Sequence, residues 1–283
     1  MLVDRVRRDA YCQVIQQHAA DARVLDLGCG TGYFSLEALR AGAKSVLSID
    51  THPVVTLLPN VLRRNQCESN CSVFYGDIRQ LPEQKFDLIL ADLRGPTPLH
   101  YDGIRVMQYA SSSLLDKNGV LTPQEDTLSA ALVTMPEWYE RTNTPWALGP
   151  YDWSDCRQNV FSTPVQIPSV SATQIISTAI DWTTINYLDS ESLLKKTRGA
   201  SLNVSAKRKA QAHGIICWFN TRLCNSINYD TAPSDHQPTY GRMFLPFNQP
   251  VDVSEGENFT MTVRCTGIGE SWIWEWGIKN DDT

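Results

Sequence analysis

Val24-Leu25-Asp26-Leu27-Gly28-Cys29-Gly30-Thr31-Gly32-Tyr33-Phe34 decides how this chain folds. An apolar run reaches Asp26, three glycines follow within five residues, and Phe34-Ser35-Leu36-Glu37-Ala38-Leu39 continues with helical spacing. A strand that breaks into a glycine-rich turn and restarts as a helix presents backbone N–H groups to a ligand, because glycine has no Cβ to obstruct the approach. About twenty residues on, a second apolar run, Ser45-Val46-Leu47-Ser48-Ile49, ends in Asp50, where an acid that binds a ribose is expected. Together the two signals predict a nucleotide-type cofactor.

The glycine spacing selects among such cofactors. A dinucleotide site spaces its glycines Gly-x-Gly-x-x-Gly to admit a pyrophosphate at the helix N-terminus. This loop reads Gly28-Cys29-Gly30-Thr31-Gly32, with Asp26 two residues ahead of it. A carboxylate there repels a pyrophosphate and suits a cationic amino-acid moiety. The combination resembles motif I of the S-adenosylmethionine-dependent methyltransferases, which implies S-adenosylmethionine as cofactor. By that resemblance Asp26, Gly28, Cys29, Gly30 and Gly32 line the cofactor, and Asp50, followed by Thr51, accepts both ribose hydroxyls.

Outward from this loop the chain alternates strand and helix. Hydrophobic spacing predicts a helix over 2–18 with Val3, Val6, Ala10 and Val14 on its buried side, and Arg5, Arg7 and Arg8 near its start. Strand 24–27, helix 33–41, strand 45–49, helix 53–65, strands 72–75 and 86–91 and helix 103–115 follow. Such alternation specifies a parallel, doubly wound sheet whose ligands bind beyond the carboxyl ends of its strands. Asp77 in Gly76-Asp77-Ile78 falls at one such end, placed to accept from an adenine amino group while Ile78 packs on the ring. The fourth strand runs into Asp92-Leu93-Arg94-Gly95-Pro96-Thr97-Pro98-Leu99-His100-Tyr101-Asp102, a proline-stiffened loop that concentrates Asp, Arg, His and Tyr over the same edge. This loop is where catalytic residues are expected.

After Thr122-Pro123 the character changes. The stretches 172–181, 200–205, 214–220 and 259–265 alternate with period two and carry Thr and aromatics, with no regular helix expected between them. They read as an antiparallel β domain. Trp272, Trp274 and Trp276 share one face of a strand, which reads first as a core or interface surface. Lys207-Arg208-Lys209 reads as an exposed turn.

At 283 residues and 42% hydrophobic, the chain can bury a sizeable core and hold two domains. A net charge of −6 argues against a general phosphate-backbone binder, so no nucleic-acid partner is expected. The eight cysteines include no Cys-x-x-Cys pair, and no metal site is expected. With no secretory leader and no long apolar stretch, the expectation is a reduced, cytoplasmic protein with no membrane contact.

A nucleotide-binding sheet followed by a β domain, with these motifs, resembles the protein arginine methyltransferases over nearly the whole chain. Met1-Leu2-Val3-Asp4-Arg5-Val6-Arg7 with Ala10-Tyr11, Ala41-Gly42-Ala43-Lys44-Ser45-Val46, Leu121-Thr122-Pro123-Gln124-Glu125-Asp126-Thr127-Leu128 and His213-Gly214-Ile215-Ile216-Cys217-Trp218-Phe219-Asn220 also fit that family. The resemblance implies a Rossmann-like methyltransferase domain over 1–124 and a β-barrel-like substrate and dimerisation domain over 125–283. It also implies that Arg7 pairs with the cofactor carboxylate, and that an arm around Tyr151-Asp152-Trp153-Ser154 makes a homodimer. The departures are specific. Where the family's loop carries two glutamates nine positions apart, this chain has Asp92 and Tyr101, with Asp102 next to the latter. Its Thr-His-Trp loop is replaced by Pro238-Thr239-Tyr240, with His236 close by. Cofactor binding therefore transfers, and protein-arginine specificity does not. The expected catalytic set is Asp92 to orient the acceptor, with Tyr101 and Asp102 beside it and His100 as a proton acceptor. The acceptor is read as a guanidino or amino group on a peptide or small molecule. Methylation of a natural product, or a non-catalytic scaffold that binds the cofactor, remains the alternative.

Overall fold

Val24, Leu25, Asp26 and Leu27 are all buried in β1 (Arg23–Leu27), as a central strand covered on both faces requires. The computed structural model describes residues 2–99, 102–269 and 271–280. β1 pairs in parallel with β2 (Ser45–Asp50) on one side and β4 (Phe86–Ala91) on the other. With β3 (Cys71–Tyr75) and β5 (Leu115–Thr122) outside them, the sheet order is β3-β2-β1-β4-β5, parallel throughout. Every carboxyl end therefore lies along one edge, and the winding reverses between β1 and β4. There the register Leu27↔Ala91 makes Gly28 and Asp92 the next residues out on adjacent strands. This single register brings the glycine loop after β1 and the loop after β4 together.

The expected helix over 2–18 is α1 (Arg5–His18), shortened because Asp4 caps it by accepting from the Arg7 N–H at 3.2 Å. Its buried face is Arg7, Ala10, Tyr11, Val14 and Ile15, while Val3 and Val6 are exposed. Extending the 3.6-residue period back from Ala10 and Tyr11 lands on Arg7, so the guanidinium takes the place expected of the valines. α2 (Tyr33–Arg40) follows the glycine loop. The helix expected over 53–65 is a 3₁₀ stretch, Pro53–Leu57, leading into α3 (Leu58–Arg64), and α4 (Gly103–Tyr109) closes in a π turn, Ala110–Leu114. β5 then begins at Leu115. Its start, Asp116-Lys117-Asn118, carries no strand pattern in the sequence.

β6 (Glu125–Val133) opens the antiparallel half and pairs with β8 (Ile180–Asn186) and β10 (Ala210–Cys224). The order is β7-β12-β10-β6-β8, where β7 is Val165–Ile167, β12 is Arg242–Val253 and β11 (Ile227–Asp230) joins β10. A second sheet has the order β14-β13-β9, made of β9 (Thr197–Ser205), β13 (Asn258–Ile268) and β14 (Ser271–Asn280). Trp274 is buried, and Trp272 and Trp276 pack against the same core, so the tryptophan face is a core face. Lys207, Arg208 and Lys209 are exposed, as expected.

Two expectations for this half are corrected. Most of 172–181 is a 3₁₀ turn, Ala172–Gln174, and extended chain, with Ser171 and Gln174 forming a capping box. Helices do interrupt the strands: α5 (Pro136–Asn143), with proline in its first turn, and α6 (Ser154–Phe161) project from the barrel.

Candidate active site

Glycine is required at the loop after β1 for two reasons. Gly28, Gly30 and Gly32 have φ of 76°, 55° and 83°, the left-handed region that other residues avoid. A Cβ on Gly28 would lie 2.6 Å from Leu93 Cδ2, and one on Gly32 would lie 2.2 Å from Leu58 Cδ1. Gly30 faces no atom within 4 Å, so its backbone is open to approach. The Asp50 Oδ2 accepts from the Gly30 N–H at 2.8 Å, and its Oδ1 accepts from the His52 N–H at 2.7 Å. The acid at the end of β2 is thus turned onto the glycine loop, and Thr51 beside it is exposed. This open cradle, edged by a carboxylate, fits a nucleoside with a charged tail.

Asp26 lies buried behind the loop. The Ser35 hydroxyl donates to its Oδ2 at 2.5 Å, yet burial pushes the carboxyl up to about 7. Burial raises the Cys29 thiol as well, so it stays neutral. At the end of β3, Asp77 is gripped by Arg79, with Nε 2.8 Å from Oδ1 and Nη2 2.5 Å from Oδ2, which lowers its carboxyl below the usual range. Ile78 is buried at the same edge.

Across the sheet edge, Asp92 is buried and both of its carboxylate oxygens are engaged by guanidinium groups. Arg7 Nη1 donates to Oδ2, and Arg94 Nη2 donates to Oδ1 at 3.2 Å. The Asp92 carbonyl accepts from the Tyr240 hydroxyl at 2.8 Å. Arg7 also faces Asp4, whose carboxylate takes the Thr239 N–H at 2.8 Å and lies 3.3 Å from His236 Nε2. The segment that replaces Thr-His-Trp therefore reaches the site directly through Tyr240 and, through Asp4, by way of the start of α1. Arg94 is the centre of the cluster. Its Nη1 donates to Asp126 Oδ1 at 3.1 Å and to Thr221 Oγ1 at 2.7 Å. Its Nη2 donates to the Tyr11 and Tyr229 hydroxyls at 2.7 and 2.6 Å. Burial works against the charge, but Tyr11, Tyr229, Asp126 and Asp92 outweigh it and the group stays a cation.

Of the expected catalytic residues, Asp92 faces the cofactor loop. Asp102 does not join it: its carboxylate lies 3.4 Å from Arg79 Nη1 and 3.5 Å from Arg105 Nε. Tyr101 and His100 lie outside the described residues. Thr221 and Tyr229 enter the site unannounced by any motif, and Asp126, which lies in one of the family-like stretches, enters with no role expected of it. Two of them reach Arg94 from 32 and 135 residues further along the chain, so only the fold reveals them.

Comparison with known proteins agrees with this fold. Residues 18–145 match a family model described as a methyltransferase domain, and residues 151–283 match one described as the PRMT5 oligomerisation domain. Protein arginine N-methyltransferase 1 of Oryza sativa subsp. indica is 26% identical over 94% of this chain and 70% of its own length. The Schizosaccharomyces pombe protein of the same name is 24% identical over 94% of this chain and 80% of its own length. Among solved structures, a Trypanosoma brucei PRMT1 enzyme–prozyme heterotetrameric complex with AdoHcy superposes with a TM-score of 0.83 at 20% identity, covering 99% of this chain and 97% of that one. Arabidopsis thaliana protein arginine methyltransferase 10 gives 0.77 at 18% identity, covering 98% and 96%. The chain is an S-adenosylmethionine-dependent methyltransferase. More narrowly, it is similar to the protein arginine methyltransferases, with a Rossmann-like sheet joined to a β-barrel-like half.

Proposed function

We propose that the chain methylates a guanidino or amino nitrogen on a protein or peptide, with Asp92 as the carboxylate that meets the acceptor. The observation that carries this reading is Asp92 itself, buried beside the glycine loop and already shaped to hold guanidinium groups. When bound, S-adenosylmethionine supplies a methyl group on a sulfonium. In this reading Asp26 and Arg7 hold its charged tail, Gly28, Cys29, Gly30 and Gly32 admit its backbone-facing edge, Asp50 and Thr51 its ribose, and Asp77 and Ile78 its adenine. A guanidine or amine is cationic at neutral pH, so a carboxylate must orient it and lower the cost of losing a proton. Asp92 does this by charge-assisted hydrogen bonds. The names of the relatives point the same way, towards arginine in proteins rather than a small metabolite.

The test is methyl transfer from labelled S-adenosylmethionine to arginine-rich and lysine-rich peptides, read by mass spectrometry. Transfer to nitrogen that Asp92→Asn reduces by about a hundredfold or more, with cofactor affinity kept, supports the assignment. Equal rates for Asp92→Asn and wild type overturn it. We further propose a homodimer built through the arm around Tyr151 and Trp153, in a cytoplasmic protein.

A further inference from the structure

Building on Asp92 as the acceptor carboxylate, we propose that Arg94 is an internal ligand of the acceptor site. Its guanidinium holds the position on Asp92 that an incoming guanidinium needs, and an acceptor reacts only after displacing it. Arg94 is 4% exposed, yet it comes from the catalytic loop itself, two residues beyond Asp92. Both of its Nη nitrogens donate to acceptors, and its Nε meets no partner among the described residues. Its guanidinium carbon also sits 5.4 Å from the ring centroids of Phe219 and Tyr229 and 5.9 Å from that of Tyr11.

Two carboxylates, two tyrosine hydroxyls and three aromatic faces around one planar cation make a guanidinium receptor. The receptor is built by both halves of the molecule, from α1 and the loop after β4 on one side and from β6, β10 and β11 on the other. It is served in cis. Arg7 takes the second oxygen of Asp92, so an external cation would face two fixed positive charges and no free carboxylate oxygen. Removing the Arg94 side chain leaves Asp92 and Asp126 beside an empty, aromatic-walled space of the right chemistry. A purely structural pin would leave only a hole.

Ethylguanidinium chloride is the probe, with N-ethylurea as its neutral counterpart, titrated by calorimetry into wild type and Arg94→Ala. The variant is expected to bind ethylguanidinium saturably in the millimolar range and to ignore N-ethylurea, while wild type binds neither. Methyl transfer to an arginine peptide should rise at least about tenfold in the variant. A folded Arg94→Ala that still binds S-adenosylmethionine but takes no ethylguanidinium overturns the proposal. Saturable binding of ethylguanidinium by wild type that Asp92→Asn abolishes also overturns it, and this arm decides the matter if Arg94→Ala does not fold. Arg94→Met, which removes charge while keeping bulk, gives a second transfer assay. Binding of ethylguanidinium by Arg94→Ala without transfer by any form upholds the internal ligand and overturns the assignment of the site to methyl transfer. Equal transfer by wild type and Arg94→Ala does the reverse.

Discussion

Asp26 carries its charge at a cost, and that cost sets a pH dependence. Its carboxyl titrates near 7 in the folded chain because of burial, against 3.8 when free. Between those two values the folded protein holds a proton that the unfolded chain has lost, so this group's contribution to stability falls as pH rises from about 4 to about 7. Asp26→Asn is therefore expected to melt higher than wild type at pH 8 and to show a flatter stability profile below pH 7, measured by thermal denaturation. Cofactor binding has the opposite slope if Asp26 meets the cationic amino group. Affinity should weaken by up to about tenfold per pH unit below about pH 7, and Asp26→Asn should lose that dependence along with affinity at pH 8. Asp50 is the second residue of this kind. Asp50→Ala should weaken S-adenosylmethionine binding by about 1.5–3 kcal/mol, the scale of hydrogen bonds to a charged group, and an unchanged dissociation constant with the fold intact would remove it from the ribose site.

At the level of elements, α1 ties the two halves of the site together. Asp4 caps the helix, takes the Thr239 N–H and faces His236, while Arg7 one turn later reaches Asp92. Asp4→Ala removes the cap and the link at once. It should cost about 1 kcal/mol from the cap alone, and more because the part-buried Thr239 N–H loses its partner. Asp4→Asn, which keeps an accepting oxygen, should recover most of that, as chemical denaturation would show. These elements also mark the limit of what is legible in the sequence. The glycine loop, Asp50 and the parallel order are readable because a strand, a turn and a helix within 30 residues carry their own periodicity and spacing. Arg7 could be found by extending the period of Tyr11 and Val14 backwards, although Val3 and Val6 made a competing apolar stripe. Arg94 could not be placed. Asp126, Thr221 and Tyr229 sit on strands far along the chain and Tyr11 on α1 before it, and a lone Arg ahead of two prolines reads the same whether solvated or buried. Asp102 misleads for a related reason: it adjoins the second glutamate position in sequence, but α4 starts there and turns it towards Arg79 and Arg105.

For the whole molecule, the arm makes the assembly testable. α5 and α6 are fastened to their own barrel: Arg157 donates to the Asn248 carbonyl at 2.6 Å and to the Tyr139 hydroxyl at 3.1 Å, and buried Phe161 packs on Trp138 and Tyr139. Between the two helices, Leu148, Tyr151 and Trp153 are 67%, 71% and 41% exposed, with the Tyr151 and Trp153 rings 6.0 Å apart. Large exposed apolar side chains clustered on one segment are the usual composition of an interface core. Their anchoring lets the tip be altered without disturbing the barrel, which deletion of the whole arm would not allow, because Phe161 would leave a hole. Leu148→Glu combined with Trp153→Glu places two charges where an apolar contact would form, and a buried unpaired charge costs several kcal/mol. Wild type is expected to sediment as a dimer at micromolar concentration and the double variant as a monomer with unchanged circular dichroism. Because Asp92, Arg7 and Arg94 are joined within one chain, the monomer should keep its response to Arg94→Ala in ethylguanidinium binding. A wild type that is already monomeric at that concentration would remove the arm from the interface and leave the acceptor site unaffected.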